Sequence, residues 1–321
     1  MLAVSAVSFS SADPLGGLQI SERPEPDAKP GWTKVTMRAS TLNRHDLWSL
    51  KGVGLRREQL PRILGCDGAG IDEFGNEVII HNVVTSPGWS GPAPLDPKRS
   101  MLSENFDGTF ASTVLVPTFN LVPKPAEMSW TTAACCSLTM LTAYRMLFVQ
   151  AGLRPGDLVL IQGAGGGVNS AAIQLAAAAG IRVWASSRDE HRRMRALGLG
   201  AEQAFESGAR LPEKVDAVID NVGKATWSHS INVLRSGGTL VTCGATTGEP
   251  EKTELTKIFF RELRVHGSTS GSIDDLRNLA SFVQTAGITP VIDQELPLAQ
   301  ARRAFARMEA GEIFGKIAFT Y

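Results

Sequence analysis

A glycine-rich turn near the middle of the sequence has the residue types needed to bind an anion. The apolar segment LVLIQ ends at Gln162, and Gly163, Gly165, Gly166 and Gly167 follow it. Glycines let the backbone turn tightly and approach a phosphate with no Cβ atom in the way. The helix expected next would present free N–H groups to that phosphate. The pattern predicts a dinucleotide pyrophosphate turn continuing to Val168, although a purely structural turn has the same composition.

The end of the next apolar segment indicates which dinucleotide would bind. Ser187 and Arg188 stand there, and Arg192 follows one helical turn later. Hydroxyl and guanidinium groups suit a 2′-phosphate, because arginine offers a planar, charged set of donors. We therefore predict NADPH as the cofactor. Asp189 and Glu190 stand close by, so NADH remains an alternative.

Asn169 stands where such turns often have a further glycine or alanine. Three consecutive glycines precede it and can supply the tight turn without it. The asparagine side chain could cap the helix start or reach the cofactor phosphate, and the sequence leaves both roles open.

Composition limits the classes of partner. The 321 residues include 32 basic and 32 acidic side chains, which predicts no binding of nucleic acid or of an anionic membrane surface. The four cysteines show no Cys-x-x-Cys spacing, so neither a disulfide framework nor a zinc knuckle is expected. Residues 1–17 lack the basic start of a signal peptide, and the run 171–185 is too interrupted for a membrane span. We predict a cytoplasmic chain.

Two kinds of pattern divide the sequence. Between about 32 and 122, short segments rich in Val, Ile and Thr are separated by Gly and Pro, which is typical of β-strands. From about 158 onward, apolar strands alternate with helical segments, and this alternation predicts a parallel sheet with right-handed crossovers. The predicted fold class is α/β.

Several motifs along nearly the whole chain resemble the medium-chain dehydrogenase/reductase superfamily, and within it the zinc-free quinone oxidoreductase and enoyl reductase branch. The resemblance implies a Rossmann doubly wound parallel sheet over 123–262 and a GroES-like β-rich catalytic domain formed by 1–122 and 263–321. It also implies a homodimer that pairs through the strand near 263–269. The motifs are STLNRHDLWSLKG, PRILGCDGAG, DLVLIQGAGGGVNSAAIQLA, LRSGGTLVTCGATTG and GEIFGKIAF.

The resemblance also assigns cofactor contacts. Asn43 and Thr142 match positions near the nicotinamide, and Lys316 matches a basic position that can reach the phosphates or can be a plain surface lysine. The remaining contacts follow the third and fourth Rossmann strands, at the sheet edge where parallel sheets bind ligands. They are Asn221, Val222, Gly244, Ala245 and Thr246.

Catalytic zinc is not expected. The positions that match the superfamily's zinc ligands are Asn43, Cys66 and Leu138, and only the cysteine binds zinc well. Asp67 and His45 stand nearby in sequence but do not reproduce the ligand set. We therefore predict no metal.

Without a Lewis acid, hydride transfer to a conjugated acceptor is easier than to an isolated ketone. We predict NADPH-dependent reduction of a quinone or of the C=C bond of an enone or enal, with a catalytic pocket of Asn43, Trp48, Cys66 and Asp67. Trp48 stands where quinone reductases often have tyrosine, and it cannot act as a general acid. His45 could donate a proton or point outward. An alcohol or aldehyde dehydrogenase and a non-catalytic NADPH-binding protein are the alternatives.

Overall fold

A computed structural model describes residues 1–321. The chain forms two compact units, and the first is discontinuous in sequence. Unit 1 comprises Met1–Leu141 and Gly271–Tyr321, and unit 2 comprises Thr142–Ser270. Unit 1 is built mainly on antiparallel strands and unit 2 on a parallel sheet, which confirms the predicted α/β class.

The strands are numbered in chain order. They are β1 (Leu2–Ala6), β2 (Leu18–Glu22), β3 (Trp32–Thr41), β4 (Arg62–Ile63), β5 (Asp67–Asp72), β6 (Glu77–Ile80), β7 (Val83–Val84), β8 (Ser100–Met101), β9 (Thr113–Pro117), β10 (Leu121–Pro123), β11 (Leu158–Ile161), β12 (Arg182–Ser186), β13 (Gln203–Phe205), β14 (Val215–Asp220), β15 (Leu234–Thr242), β16 (Arg264–Gly267), β17 (Ile292–Pro297) and β18 (Lys316–Thr320).

The helices are numbered in the same way. They are α1 (Arg44–Leu50), α2 (Trp130–Cys135), α3 (Leu141–Tyr144), α4 (Gly167–Ala178), α5 (Glu190–Gly198), α6 (Trp227–Val233), α7 (Leu255–Phe260), α8 (Ile273–Thr285) and α9 (Ala301–Ala310). Between α2 and α3, and again after α3, the helical chain widens into π-helical turns at Cys136–Met140 and Arg145–Gln150.

Unit 1 centres on a seven-stranded sheet in the order β10-β6-β5-β3-β18-β17, with β9 also pairing with β3. The side chains of β3 alternate between the core and the other face, as the twofold repeat of a strand requires. β18 joins β3 in antiparallel register, with Ala318 opposite Thr41. Phe110, Phe305 and Phe319 form edge-on aromatic contacts in the core beside this sheet.

Unit 2 contains a six-stranded parallel sheet in the order β13-β12-β11-β14-β15-β16. The four side chains of β11 are all buried, because helices cover both faces of such a sheet. The strand order changes direction at β11: β12 and β13 lie on one side of it, and β14, β15 and β16 lie on the other. This is the edge at which parallel sheets of this order hold ligands, beyond the carboxyl ends of the strands.

The observed divisions, at 141/142 and 270/271, differ from the predicted boundaries at 122/123 and 262/263. α2 lies before the first observed boundary because it packs on β3 and β5 of unit 1. The second boundary follows Ser270, because β16 pairs in parallel with β15, with Val265 opposite Leu240. The parallel sheet therefore extends past residue 262.

One helical segment, Trp130–Gln150, is long and apolar enough to cross a membrane by length and composition alone. Its most apolar window has a mean hydropathy of 1.3 and is 78% buried in the fold. That degree of burial is typical of a core helix.

Candidate functional site

The glycine turn of unit 2 has the shape that a bound pyrophosphate requires. Gly163 and Gly165 have φ angles of +77° and +116°, which residues with a Cβ atom rarely adopt. A Cβ added to Gly163 would lie 2.7 Å from Cγ2 of Val222. Gly166 precedes α4, and no side chain caps the helix start. The residues present therefore fit a dinucleotide.

Asn169 has neither of the roles suggested by the sequence. Its side chain is buried within the first turn of α4 instead of capping it. Nδ2 donates to the carbonyl oxygens of Gln162 and Gly163, the latter at 2.9 Å, and Oδ1 accepts from Nδ2 of Asn221 at 2.5 Å. The asparagine thus ties the glycine turn to the loop after β14.

At the end of β12 a cationic side chain is exposed, whereas the carboxylate next to it is hydrogen-bonded to backbone. Arg188 is exposed, whereas Ser187 is buried and accepts a hydrogen bond from the backbone N–H of Asp189. The Asp189 carboxylate caps α5 by accepting from the backbone N–H of Arg192 at 2.9 Å, and this hydrogen bond lowers the pKa of Asp189. The Asp189 carboxylate is therefore engaged in a helix cap.

The other predicted cofactor residues of unit 2 lie in two loops and one helix. Asn221 and Val222 follow β14, and Gly244 to Thr246 follow β15, where Thr246 donates to the carbonyl oxygen of Asn221. The structure therefore brings these two loops together with the glycine turn. Thr142 is buried in α3.

Unit 1 contains a buried polar group around the ammonium of Lys316, here called the Lys316 cluster (Lys316, Asn43, Asp67, Thr139 and Thr41). Nζ of Lys316 lies 3.1 Å from Oδ2 of Asp67 and 2.6 Å from Oδ1 of Asn43. It also donates to Oγ1 of Thr139 at 2.8 Å and to the carbonyl of Leu42. Oδ2 of Asp67 accepts from Thr41 as well.

Lys316 is buried in unit 1, so it is not a plain surface lysine, and its contact with the cofactor phosphates stays a prediction. Its side chain is 6% exposed and its ammonium protons are taken by acceptors of unit 1. The amide of Asn43 is likewise engaged, because Oδ1 accepts from Lys316 and Thr139 while Nδ2 donates to Asp67 at 2.9 Å. Sequence analysis missed Thr139, which has no motif of its own.

His45 on α1 does not point outward. Its Nδ1 lies 3.2 Å from Sγ of Cys66, and its Nε2 lies 3.1 Å from Oε1 of Glu104. Cys66 is fully buried, whereas the Glu104 side chain is 25% exposed. Trp48, on the same helix, is half-buried. The sequence analysis missed Glu104, which belongs to a long loop with no recognisable pattern.

The charges around His45 favour its protonated form. Burial alone would lower its pKa, but Cys66, Glu104 and Asp46 together raise the pKa of His45 well above its ordinary value. Burial opposes ionisation of Glu104, yet the hydrogen bond from His45 lowers the pKa of that carboxyl. Burial raises the pKa of the Cys66 thiol. An imidazolium beside the Glu104 carboxylate describes this pair best.

The donor atoms of His45, Asp46 and Cys66 lie within 4.8 Å of one another, as a metal site would require. Their existing bonds do not fit zinc. Both carboxylate oxygens of Asp46 already accept from backbone N–H groups, of Asn43 at 2.8 Å and of Gly65 at 3.0 Å. We therefore derive no step through a metal.

Comparisons with known proteins place the chain among dehydrogenases and reductases. A family model described as zinc-binding dehydrogenase matches residues 167–285. A zinc-type alcohol dehydrogenase-like protein of Schizosaccharomyces pombe is 32% identical over 79% of this chain and 74% of its own. A crotonyl-CoA reductase of Streptomyces collinus is 27% identical over 91% and 79%, respectively. An acryloyl-coenzyme A reductase of Sulfurisphaera tokodaii is 28% identical over 95% and 96%.

Solved structures share the whole fold. The crystal structure of an NAD-dependent alcohol dehydrogenase superposes with a TM-score of 0.92 and is 32% identical. The match covers 100% of both chains. A crotonyl-CoA carboxylase/reductase solved with NADP has a TM-score of 0.91 over all of this chain and 94% of its own, and is 24% identical. At that identity the second likeness concerns the fold alone.

Proposed function

Because the chain belongs to the medium-chain dehydrogenase/reductase superfamily, we propose that it is an NADPH-dependent, zinc-independent reductase of conjugated C=C bonds in α,β-unsaturated carbonyl compounds. The observation that carries this proposal is the pairing of His45 with Glu104. It provides a proton donor that does not depend on metal-bound water. A quinone is the second acceptor with the same electronic requirement.

The proposed reaction adds a hydride to the β-carbon and a proton to the α-carbon. When bound, NADPH supplies the hydride. The glycine turn and the start of α4 would hold its pyrophosphate. His45 would supply the proton from Nε2, because the partner of Nδ1 is the fully buried Cys66. The Nε2–H bond breaks as the C–H bond at the α-carbon forms, the hydrogen bond to Glu104 is given up, and a neutral imidazole remains. Glu104 holds the imidazole ring and stabilises its cationic form.

The relatives guide the choice of acceptor. The crotonyl-CoA and acryloyl-coenzyme A reductases are named for conjugated acyl thioesters. An isolated carbonyl is harder to reduce without a Lewis acid, and the hydrogen bonds of Asp46 and Asn43 leave no ready ligand set for one. Short-chain enoyl thioesters are accordingly the first substrates to assay, followed by enones and quinones.

Alcohol or aldehyde oxidoreduction is the second candidate function. Two relatives are named as alcohol dehydrogenases or as similar to them, and His45, Asp46 and Cys66 bring metal-ligating atom types together.

The deciding experiment measures bound metal by mass spectrometry and cofactor consumption with crotonyl-CoA, an enone, a quinone and an aldehyde. Stoichiometric zinc with aldehyde turnover would overturn the proposal, and cofactor binding without any turnover would indicate a binding protein.

The predicted cofactor preference can be tested at the end of β12. Replacing Arg188 and Arg192 together by Ala should weaken NADPH binding by about tenfold or more, because each guanidinium can make charge-assisted hydrogen bonds to a 2′-phosphate. NADH affinity should change little. Fluorescence titration with both cofactors measures this. Arg182→Ala, at the opposite end of the same strand, is the matched control. Equal losses for the two cofactors would contradict the assignment.

We also propose a homodimer formed by pairing of β16 with β16 of a second copy. β16 is an edge strand of the parallel sheet, and Val265 on it is 39% exposed. The nearby α7 exposes Phe259 and Phe260, at 68% and 82%. An edge strand with exposed apolar neighbours is suited to pairing with another chain.

Val265→Lys should convert the dimer to a monomer, because a twofold axis would bring the two introduced charges close together. Light scattering coupled to size exclusion measures the mass. Val53→Lys, at an exposed site in unit 1, should leave the dimer intact. A dimer that survives Val265→Lys unchanged would rule out this edge.

A reduced, cytoplasmic setting is also proposed. All four cysteines are free, and three of them are fully buried or nearly so. Cys135 and Cys136 are adjacent in one helical segment and pack as small apolar residues. Such cysteine usage is typical of compartments where thiols remain reduced.

A further inference from the structure

The loops after three neighbouring parallel strands are tied together by one series of hydrogen bonds. The glycine turn follows β11, Asn221 follows β14, and Thr246 follows β15. Asn169 donates to the carbonyls of Gln162 and Gly163 and accepts from Asn221. The carbonyl of Asn221 in turn accepts from the backbone N–H of Thr246 at 3.2 Å and from its hydroxyl at 2.9 Å.

The series depends on chemistry that only a carboxamide supplies at position 169. The side chain is 1% exposed, so unmet hydrogen bonds there would not be satisfied by bulk water. It donates twice through Nδ2 and accepts once through Oδ1. Alanine can do neither, and a carboxylate has only acceptors, which would face two carbonyl oxygens.

We propose that Asn169 is a positioning residue for the cofactor pyrophosphate, an inference that rests on the proposed function only in taking the ligand to be a dinucleotide. Its Nδ2 turns the carbonyl oxygens of Gln162 and Gly163 inward, toward the protein. Those oxygens are then held away from an anion, while the N–H groups at the start of α4 remain available to it. Asn221 links this arrangement to the loops after β14 and β15.

The first test compares Asn169→Ala and Asn169→Asp in cofactor titrations. Asn169→Ala should weaken NADPH and NADH by the same factor, roughly tenfold to a hundredfold, because both share the pyrophosphate. Asn169→Asp should weaken them further, since its charge opposes both the carbonyls and the phosphates. Asn232→Ala, an exposed asparagine of unit 2, is the matched control and should bind both cofactors normally.

A fragment separates positioning from general damage to the site. 2′-AMP carries the adenosine and the 2′-phosphate but no pyrophosphate, so Asn169→Ala should bind it as the wild type does. Equal losses for 2′-AMP and NADPH would overturn the proposal, because they would mean that the variant disturbs the whole binding edge. Unchanged affinity for both dinucleotides would overturn it as well.

Amide hydrogen exchange without any cofactor gives an independent readout. In Asn169→Ala, exchange should speed up at Gly163–Val168 and around Asn221, and β11 should remain protected. Unchanged exchange in these loops would refute the proposed link. A wild-type protein that binds neither cofactor would overturn the proposed function through the titrations, and the exchange result would still report on the link itself.

Discussion

Replacing Lys316 by Met should lower the free energy of unfolding by about 3–5 kcal/mol, the usual cost of removing one partner of a buried ion pair. The loss leaves the Asp67 carboxylate uncompensated, where it is fully buried and 3.1 Å from the missing ammonium. Asn43 and Thr139 also lose a hydrogen-bond partner. Urea denaturation, followed by far-ultraviolet circular dichroism, measures the change.

Two further variants show whether burial of the charge is the cause. Lys224→Met removes an ion pair of similar length whose side chains are more than half exposed, and it should cost less than about 1 kcal/mol. Combining Lys316→Met with Asp67→Asn should recover part of the lost stability, because the double variant buries no lone charge. Equal losses for Lys316→Met and Lys224→Met would contradict the account of the Lys316 cluster.

Replacing His45 by Asn should lower kcat by about a hundredfold to ten-thousandfold, which is the usual contribution of a positioned general acid. KM should change little, because an acid of this kind acts after the substrate is bound. Steady-state assays with the acceptor identified from the substrate panel measure both constants. A variant that retains the wild-type kcat would show that the proton comes from elsewhere.

The pH profile links this effect to Glu104. The raised pKa of His45 means that the protonated, donating form is present at low and neutral pH and is lost as pH rises through that value. In Glu104→Gln the carboxylate that stabilises the imidazolium is gone, so kcat should begin to fall at a lower pH. A profile unchanged by Glu104→Gln would argue against His45 as the group that titrates.

The sequence predicts best those parts of the site whose residues are close together along the chain. The glycine turn, Ser187 and Arg188 each follow an apolar strand, and the parallel sheet brings such strand ends to one edge. Local rules of turn geometry and strand alternation were enough for these predictions. The same rules predicted a sheet of parallel strands in the second half of the chain.

The Lys316 cluster could not be predicted from local pattern. Asp67 and Lys316 are 249 positions apart, and they meet only because β18 pairs with β3 while β3 pairs with β5. Strand order of this kind depends on long-range packing. A lysine at the start of an apolar strand usually lies at the surface, and here tertiary structure overrides that preference for exposure.

His45 and Glu104 illustrate a second limit. A histidine on a short helix carries no sign of whether it faces solvent, and Glu104 lies in the irregular loop between β8 and β9. The two side chains are brought together by the path of that loop, which neither periodicity nor turn chemistry specifies. Only the three-dimensional structure therefore shows that His45 faces Cys66 and Glu104.

The order of the two units along the chain has a consequence during protein synthesis. β18 lies between β3 and β17 and carries Lys316, yet the ribosome makes it after the whole of unit 2. Unit 2 can therefore fold while unit 1 still lacks a central strand, and the Asp67 carboxylate waits without its ammonium until then. Because β9 pairs with Trp32–Thr36 of β3, only the segment Ala39–Thr41, which later pairs with β18, is an open edge at this stage. Chaperones that bind exposed strand edges would meet the nascent chain there.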